Sequence, residues 1–188
     1  MALKLHTIIC STRPGRVGPS VARWFNDFVR EHGKFDGELI DLADFHLRML
    51  DEPQHPIMQK YQQTHTKAWS ASVSAADAYT FVTPEYNYGP TPALVNALDC
   101  LYREWNYKPC GFVSYGGMAG GVRGVQVSKL QVTAVKMMPM AEGVSIPSVT
   151  QMIDDQRVFT SNELIRKAAT QMLNELHRWA EALRPMRA

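Results

Sequence analysis

Cysteine is scarce in this sequence, and the few cysteines present do not follow the patterns of structural or metal-binding cysteines. Cys10, Cys100 and Cys110 are odd in number and match neither a Cys-x-x-Cys metal spacing nor a disulfide framework. Cys10 and Cys110 lie inside apolar runs, which predicts buried, unreactive thiols. The histidines show no His-Glu-x-x-His or similar spacing, so no metal site is predicted.

Long apolar runs and clusters of basic residues are also absent. No apolar run approaches the ~20 residues that a membrane span needs, and the N-terminal segment is too short for a signal peptide. The formal net charge of +2 comes from scattered lysines and arginines, which argues against a nucleic-acid-binding surface. Because single cores grow up to ~250 residues, we expect one soluble, cytoplasmic domain over residues 1–188.

The two commonest nucleotide-binding fingerprints are missing as well. The sequence contains neither G-x-x-x-x-G-K-[ST] nor G-x-G-x-x-G, which argues against P-loop hydrolysis and against a Rossmann dinucleotide site. A serine hydrolase is equally unsupported: Ser114-Tyr115-Gly116 resembles half of a G-x-S-x-G elbow, but Phe112 replaces its first glycine. A mononucleotide ligand fits the remaining signals better than a dinucleotide.

Apolar strand-like runs alternate with amphipathic helices along the chain. Strands are predicted at residues 3–10, 38–42, 78–82, 109–115 and 140–146. Helices are predicted at residues 17–32, 59–76, 92–102 and 122–137, and a fifth follows the capping box Thr160-Ser161-Asn162-Glu163. This alternation predicts an α/β fold with a doubly wound, five-stranded parallel sheet covered on both faces. The flavodoxin-like order 2-1-3-4-5 is the natural choice, with a ligand crevice where strands 1 and 3 meet.

Residues 10–20 follow the first strand and have the composition of an anion-binding loop. Their small residues allow backbone N–H groups to approach an anion, and the following helix adds its positive end. Arg13 and Arg16 can neutralise a dianionic phosphate through charge-assisted hydrogen bonds. The alternative is that both arginines are solvated loop residues and that Ser20 only caps the helix.

Residues 84–90 follow the third strand and suit the edge and face of a flat ring. Two prolines stiffen the backbone, and Gly89 permits a left-handed or tight conformation. Backbone amides near Tyr86 and Asn87 can donate to the polar edge of a ring, and a tyrosine can pack on its face. The alternative is a proline-rich turn whose tyrosines are exposed or in the core.

Two segments resemble those of the NADPH-dependent FMN reductase family, which includes quinone, azo-dye and chromate reductases. Ser11-Thr12-Arg13 with Gly15 resembles the family's phosphate loop. The family's second signature resembles Pro84-Glu85-Tyr86-Asn87, continuing through Pro92-Ala93-Leu94 and Asn96-Ala97-Leu98-Asp99. The chain departs from the family pattern at Arg16, where many members have serine, and at Val95, where the signature has lysine.

The resemblance implies non-covalently bound FMN, reduced by NADPH or NADH, in a homodimer or homotetramer. It assigns the FMN phosphate to Ser11, Arg13, Arg16, Val17 and Gly18. It assigns the isoalloxazine ring to Pro84, Glu85, Tyr86 and Asn87, and the pyrimidine end of that ring to Tyr115, Gly116 and Gly117. No side chain is assigned as catalytic, because flavin N5 carries the chemistry.

These expectations lead to one principal functional hypothesis and two alternatives. The principal hypothesis is an FMN-dependent NAD(P)H oxidoreductase that passes electrons by a ping-pong mechanism to a small acceptor: a quinone, a flavin, an azo compound or a metal oxyanion. A flavodoxin-type electron carrier is the first alternative, although carriers commonly have an acidic docking surface and this chain is slightly basic. An FMN-binding redox sensor is the second. Neither a nucleic acid nor a membrane is expected as a partner.

Overall fold

A parallel β-sheet with helices on both faces forms the centre of the computed structural model, which describes residues 2–187. The strands are β1 (Leu3–Ile9), β2 (Phe35–Asp41), β3 (Ala78–Pro84), β4 (Pro109–Tyr115), β5 (Met138–Pro139) and β6 (Val144–Ile146). The α-helices are α1 (Gly18–His32), α2 (Thr64–Ala75), α3 (Pro92–Asp99), α4 (Val122–Ala134) and α5 (Glu163–Leu183). Short 3-10 helices lie at Leu42–Phe45, Pro56–Met58, Arg103–Trp105, Val149–Met152 and Arg184–Arg187.

The sheet has the predicted flavodoxin-like order. The strands run β2-β1-β3-β4-β5 and pair in parallel, which confirms the order 2-1-3-4-5. The predicted fifth strand at residues 140–146 is wrong in detail, because two short strands, β5 and β6, pair with β4 in turn. β5 ends at Pro139, which has no N–H group to donate to a ladder, and pairing resumes where Val144 lies opposite Val113.

The sequence overestimates the length of three helices. α2 begins at Thr64 rather than at residue 59, because Gln59 has a left-handed backbone with φ 51°. α3 ends at Asp99 rather than at residue 102, and α4 ends at Ala134 rather than at residue 137. Lys136 has a left-handed backbone with φ 58°, which stops α4 in the same way. Hydrophobic periodicity does not reveal such backbone reversals.

The predicted capping box at the start of α5 is wrong. The Asn162 side chain, rather than that of Thr160, caps the helix by accepting a hydrogen bond from the Ile165 N–H at 3.0 Å. Two large apolar residues of α5 lie outside its buried face, since Leu164 is 77% exposed and Trp179 is 36% exposed. The α5 residues that are buried in the core are Ile165, Ala169, Met172, Leu173, Leu176 and Ala180.

Two hydrophobic layers hold the helices against the sheet. α1 and α5 cover one face, where Phe25, Val29 and Met172 are fully buried. α2, α3 and α4 cover the other face, where the Trp69 and Trp105 rings contact each other. β3 and β4 are buried along their whole length, as expected for central strands of a doubly wound sheet. No helix within residues 2–187 is long and apolar enough to cross a membrane.

All three cysteines are buried and unpaired, as predicted for Cys10 and Cys110. Burial raises the pKa of each thiol, and that of Cys100 reaches about 11. Because these folded-state pKa values lie above the unfolded value of 9.0, each thiol stabilises the fold below that pH. This contribution is lost as the pH rises, since the unfolded chain then releases protons that the folded chain retains.

Cys110→Ala should therefore make the free energy of unfolding fall less steeply with pH above about pH 9. Removing one buried thiol should reduce the slope by up to about 1.4 kcal/mol per pH unit. Urea unfolding at several alkaline pH values measures this slope for wild type and for Cys110→Ala. The small cavity that the substitution creates costs the same free energy at every pH, so it does not change the slope. Identical slopes would mean that the Cys110 thiol ionises in the folded protein.

Candidate functional site

The loops after β1 and β3 meet at the carboxyl ends of these two neighbouring strands, as predicted. The Cys10 N–H donates to the Val82 carbonyl at 2.9 Å, which extends the pairing of β1 with β3. Thr91 joins the same corner, because its hydroxyl donates to the Cys10 carbonyl at 2.6 Å and accepts the Leu94 N–H at 3.1 Å. Thr91 thus caps α3 and ties the second loop to the first.

Residues 11–18 comprise the loop before α1 and the first residue of that helix, and we call them the anion loop. They offer hydrogen-bond donors without nearby acceptors. Within residues 2–187, no group accepts a hydrogen bond from the N–H groups of Ser11, Thr12, Arg13, Gly15, Val17 or Gly18. The first turn of α1 contains no acidic residue, and no side chain caps it. Unpaired N–H groups at the positive end of a helix attract and bind anions.

The Arg16 side chain contacts a backbone carbonyl of the anion loop instead of its unpaired N–H groups. Its guanidinium donates to the Ser11 carbonyl and forms a bidentate ion pair with Asp41, in which both N–O distances are 2.7 Å. The hydrogen bonds to Asp41 raise the pKa of Arg16. Arg16 therefore stabilises the anion loop by holding its Ser11 carbonyl. A direct contact of Arg16 with a phosphate stays a prediction. Arg13 is exposed, and its side chain makes no hydrogen bond or ion pair within residues 2–187, so its guanidinium is available to an anion.

Gly18 occupies a position where any side chain would collide with its neighbours. A Cβ there would lie 2.5 Å from Ser11 Oγ and 2.6 Å from Tyr115 Oη. Tyr115 is buried, which raises its pKa, and its hydroxyl donates to Ser11 Oγ at 3.0 Å. Tyr115 also lies opposite Pro84, the buried last residue of β3. The Tyr115 side chain thus supports the anion loop, and the predicted contact of this residue with the flavin ring stays a prediction.

The second loop contains a tight turn at residues 86–89. Tyr86 and Gly89 exchange two backbone hydrogen bonds of 3.0 and 2.9 Å. The left-handed residues are Asn87, with φ 49°, and Tyr88, with φ 68°, rather than Gly89 as predicted. Two successive left-handed residues are typical of a type I′ turn. The turn consumes the Tyr86 N–H, whereas no group within residues 2–187 accepts from the N–H of Asn87 or Tyr88.

Glu85 clamps the second loop to the start of α4. Its carboxylate accepts the N–H groups of Arg123 and Gly124 at 3.0 and 3.2 Å and forms an ion pair with the Arg123 guanidinium. Burial alone would raise the pKa of Glu85, but the hydrogen bonds from Arg123 and Gly124 lower it below its usual value. Gly124 permits this packing, because a Cβ there would lie 2.8 Å from the Gly89 carbonyl oxygen. Gly124 is not among the predicted site residues, although a glycine inside a predicted helix was a signal for it.

The third loop, which follows β4, supplies fewer donors than predicted. The Gly116 N–H donates to the Ile146 carbonyl at 3.2 Å and is therefore occupied. The Gly117 N–H has no acceptor in the described part of the chain. Of the two glycines assigned to the pyrimidine end of the ring, Gly117 is thus the one whose N–H is available.

Comparison with known proteins identifies the family of this chain. A family model described as NADPH-dependent FMN reductase matches residues 3–151. The chain belongs to the NADPH-dependent FMN reductase family. It is 48% identical over 120 residues to an NAD(P)H-dependent FMN reductase of Schizosaccharomyces pombe, and the match spans 63% of this chain and 60% of that protein. It is 34% identical over 157 residues to an NAD(P)H-dependent FMN reductase of a Nectria species, spanning 76% of this chain and 78% of that protein.

The solved structures agree with the fold of this family member. FerB, a flavoenzyme NAD(P)H:(acceptor) oxidoreductase from Paracoccus denitrificans, superposes with a TM-score of 0.75 and 16% identity, covering 96% of this chain and 98% of FerB. At this identity the likeness shows the fold alone. Family membership makes the chain an oxidoreductase with FMN and NAD(P)H as its cofactors. The resemblance predicted from the two loop motifs is thereby confirmed.

The residues of the site fit FMN. The anion loop offers N–H donors and an available arginine, which suit a phosphate dianion. The unpaired N–H groups of Asn87, Tyr88 and Gly117 lie on the two loops that follow β3 and β4, and they suit the polar edge of a flavin ring. The individual ring contacts of Pro84, Glu85, Tyr86 and Asn87 stay predictions.

Gly18→Ala should weaken FMN binding by about tenfold, because overpacking of a well-packed position displaces its neighbours. The added methyl group would press on Ser11 Oγ and Tyr115 Oη and shift the anion loop. Titration of FMN fluorescence measures the Kd. Gly143→Ala is the matched control, since a Cβ there would meet only the Phe112 carbonyl oxygen at 3.4 Å. An unchanged Kd in the Gly18 variant would mean that the loop accommodates a side chain.

Glu85→Gln keeps the shape of the clamp and removes its charge. We expect the free energy of unfolding at neutral pH to fall by about 1–2 kcal/mol, because hydrogen bonds to a charged acceptor are replaced by weaker ones. The folded-state pKa of Glu85 is lowered, so its contribution is present above the unfolded value of 4.5 and is lost as the pH falls through the folded value.

Urea unfolding at neutral and acidic pH measures this difference between wild type and the Glu85 variant. The difference should shrink as the pH falls below 4.5 and through the lowered folded-state pKa, because the wild-type carboxylate then becomes protonated as well. Glu181→Gln, at an exposed position on α5, is the control. A difference that is independent of pH would contradict the role of the Glu85 charge.

Proposed function

We propose that this protein is an FMN-dependent NAD(P)H oxidoreductase that passes electrons to a small acceptor. The observation that carries the proposal is the anion loop, whose unpaired N–H groups and braced carbonyls suit the terminal phosphate of FMN. The turn of the second loop follows the neighbouring strand and leaves the Asn87 and Tyr88 N–H groups available to a ring. The names of the relatives from Schizosaccharomyces pombe and Nectria support the same activity.

In this proposal, the role of the polypeptide is to bind FMN and to orient it. FMN, when bound, supplies the redox chemistry by taking a hydride from NAD(P)H and giving electrons to an acceptor. The start of α1 and the Arg13 guanidinium neutralise the phosphate. The unpaired Gly117 N–H would hold the pyrimidine end of the ring and would stabilise negative charge there. No side chain has to act as an acid or a base.

We expect a ping-pong mechanism, in which the oxidised nicotinamide would leave before the acceptor binds at the same place. An open site of this kind would place few demands on the acceptor, so a quinone, a free flavin, an azo compound and a metal oxyanion are all candidates. A relative named 2-hydroxy-1,4-benzoquinone reductase, from a Burkholderia species, favours a quinone. The electron carrier is the second candidate function, favoured only by the fold that carriers share.

We also propose that two or four copies of this chain assemble. Met49 and Leu50 are exposed large apolar residues, 77% and 44% accessible. Both line a mostly apolar groove beside α3 together with Pro90, Pro92 and Val95. Valine at position 95, where the family signature has lysine, extends this apolar surface. Apolar surface of this kind is commonly covered by a second subunit.

An absorption spectrum tests the proposed function most directly. The protein is mixed with FMN, desalted, and then treated with NADPH without oxygen. We expect a retained flavin spectrum that bleaches on NADPH addition, and turnover when a quinone is supplied. Retained flavin without bleaching would favour the redox sensor, and negligible turnover with NADPH and a quinone in the absence of a separate reductase would favour the carrier. Colourless protein would contradict FMN binding.

Parallel lines in double-reciprocal plots would support the ping-pong mechanism, whereas intersecting lines would contradict it.

A further inference from the structure

A short hairpin outside the segment matched by the family model reaches back to the anion loop. Residues 153–159 form it, and a bridge between Ile153 and Phe159 closes it. The Asp154 carboxylate accepts the Val158 N–H at 2.8 Å and stabilises the turn. Arg157, in this turn, has a left-handed backbone with φ 62°. This conformation is disfavoured for arginine, so the contacts around Arg157 must hold it in place.

Arg157 contacts both the anion loop and the helix that follows it. The Ser20 hydroxyl, in the first turn of α1, donates to the Arg157 carbonyl at 2.6 Å instead of capping the helix. The Arg157 guanidinium donates to the Arg16 carbonyl and, at 3.5 Å, to the Gly15 carbonyl. No carboxylate within residues 2–187 forms an ion pair with Arg157. Backbone carbonyls of the anion loop are therefore the partners of this guanidinium.

These contacts determine the direction of the N–H groups in the anion loop. In a trans peptide, the C=O group and the N–H group of the next residue point in opposite directions. Arg157 holds the Arg16 carbonyl and thereby turns the Val17 N–H away from the hairpin. Arg16 holds the Ser11 carbonyl and turns the Thr12 N–H away in the same manner. Both N–H groups are unpaired within residues 2–187, so they are available to an anion.

We propose that Arg157 is a positioning residue that keeps the N–H groups of the anion loop directed at a phosphate and thereby favours FMN over riboflavin. Arg157 acts through the carbonyls of Gly15 and Arg16. The inference rests on the proposed binding of FMN. It assigns selectivity for the 5′-phosphate to a hairpin that lies beyond residues 3–151, the segment that the family model matches.

The test compares the Kd of FMN with the Kd of riboflavin, both measured by flavin fluorescence titration. The proteins are wild type, Arg157→Ala, Arg157→Lys and the control Arg178→Ala, whose side chain is exposed on α5 and pairs with Glu175. Arg157→Ala should raise the Kd of FMN by about tenfold, the loss expected for charge-assisted hydrogen bonds. The Kd of riboflavin should stay within about twofold of wild type, because riboflavin has no phosphate. Arg157→Lys should give an intermediate Kd for FMN, since an ammonium cannot reproduce the fork of a guanidinium.

Each other outcome overturns the inference. An unchanged Kd of FMN in Arg157→Ala would remove Arg157 from the site. Equal losses for FMN and riboflavin would indicate general damage to the fold, which thermal melting without flavin would also show. A wild-type Kd of FMN in Arg157→Lys would mean that the positive charge alone matters. This variant also remains informative if Arg157→Ala does not fold. Wild type that fails to bind FMN would overturn the proposed function together with the inference, whereas wild type that binds FMN separates the two.

Discussion

The candidate site depends on where one loop directs its carbonyl groups. A peptide group carries its donor and its acceptor on opposite sides, so a loop can offer only donors to an anion when other groups take up its acceptors. Here two guanidinium groups do so: Arg16, held in turn by Asp41, and Arg157 from the hairpin. The preference of the cleft for an anion therefore comes from side chains that lie on the opposite side of the anion loop.

The second loop is also fixed by a charged side chain, here a carboxylate of its own. Glu85 accepts N–H groups at the start of α4, and Gly124 allows the close approach. In both loops a charged side chain fixes the backbone, and the backbone is what a ligand meets. Every residue except proline has a backbone N–H group, so the sequence controls such a site mainly through the residues that support it.

Periodicity and loop composition are enough to predict the strand order, the bounds of β4 and the meeting of the two loops, because sheet topology follows from the alternation of elements. Contacts between distant residues are not predictable in this way. Arg16 meets a carboxylate 25 positions further along the chain, and Arg157 lies 141 positions from the carbonyl it holds. An arginine beside a glycine predicts an anion site, but the sequence does not reveal where the guanidinium points. It can contact the anion directly, or it can contact carbonyls on the opposite side of the loop.

The three buried cysteines have a practical consequence for anyone who studies this protein by spectroscopy. Since Cys10, Cys100 and Cys110 are all buried, thiol-reactive dyes and spin labels should leave the native chain unmodified while it is folded. A single cysteine introduced on the surface, for example at exposed Met118 in the third loop, would then carry a probe at one defined position. The loops around the cleft could thus be followed without first removing any native cysteine.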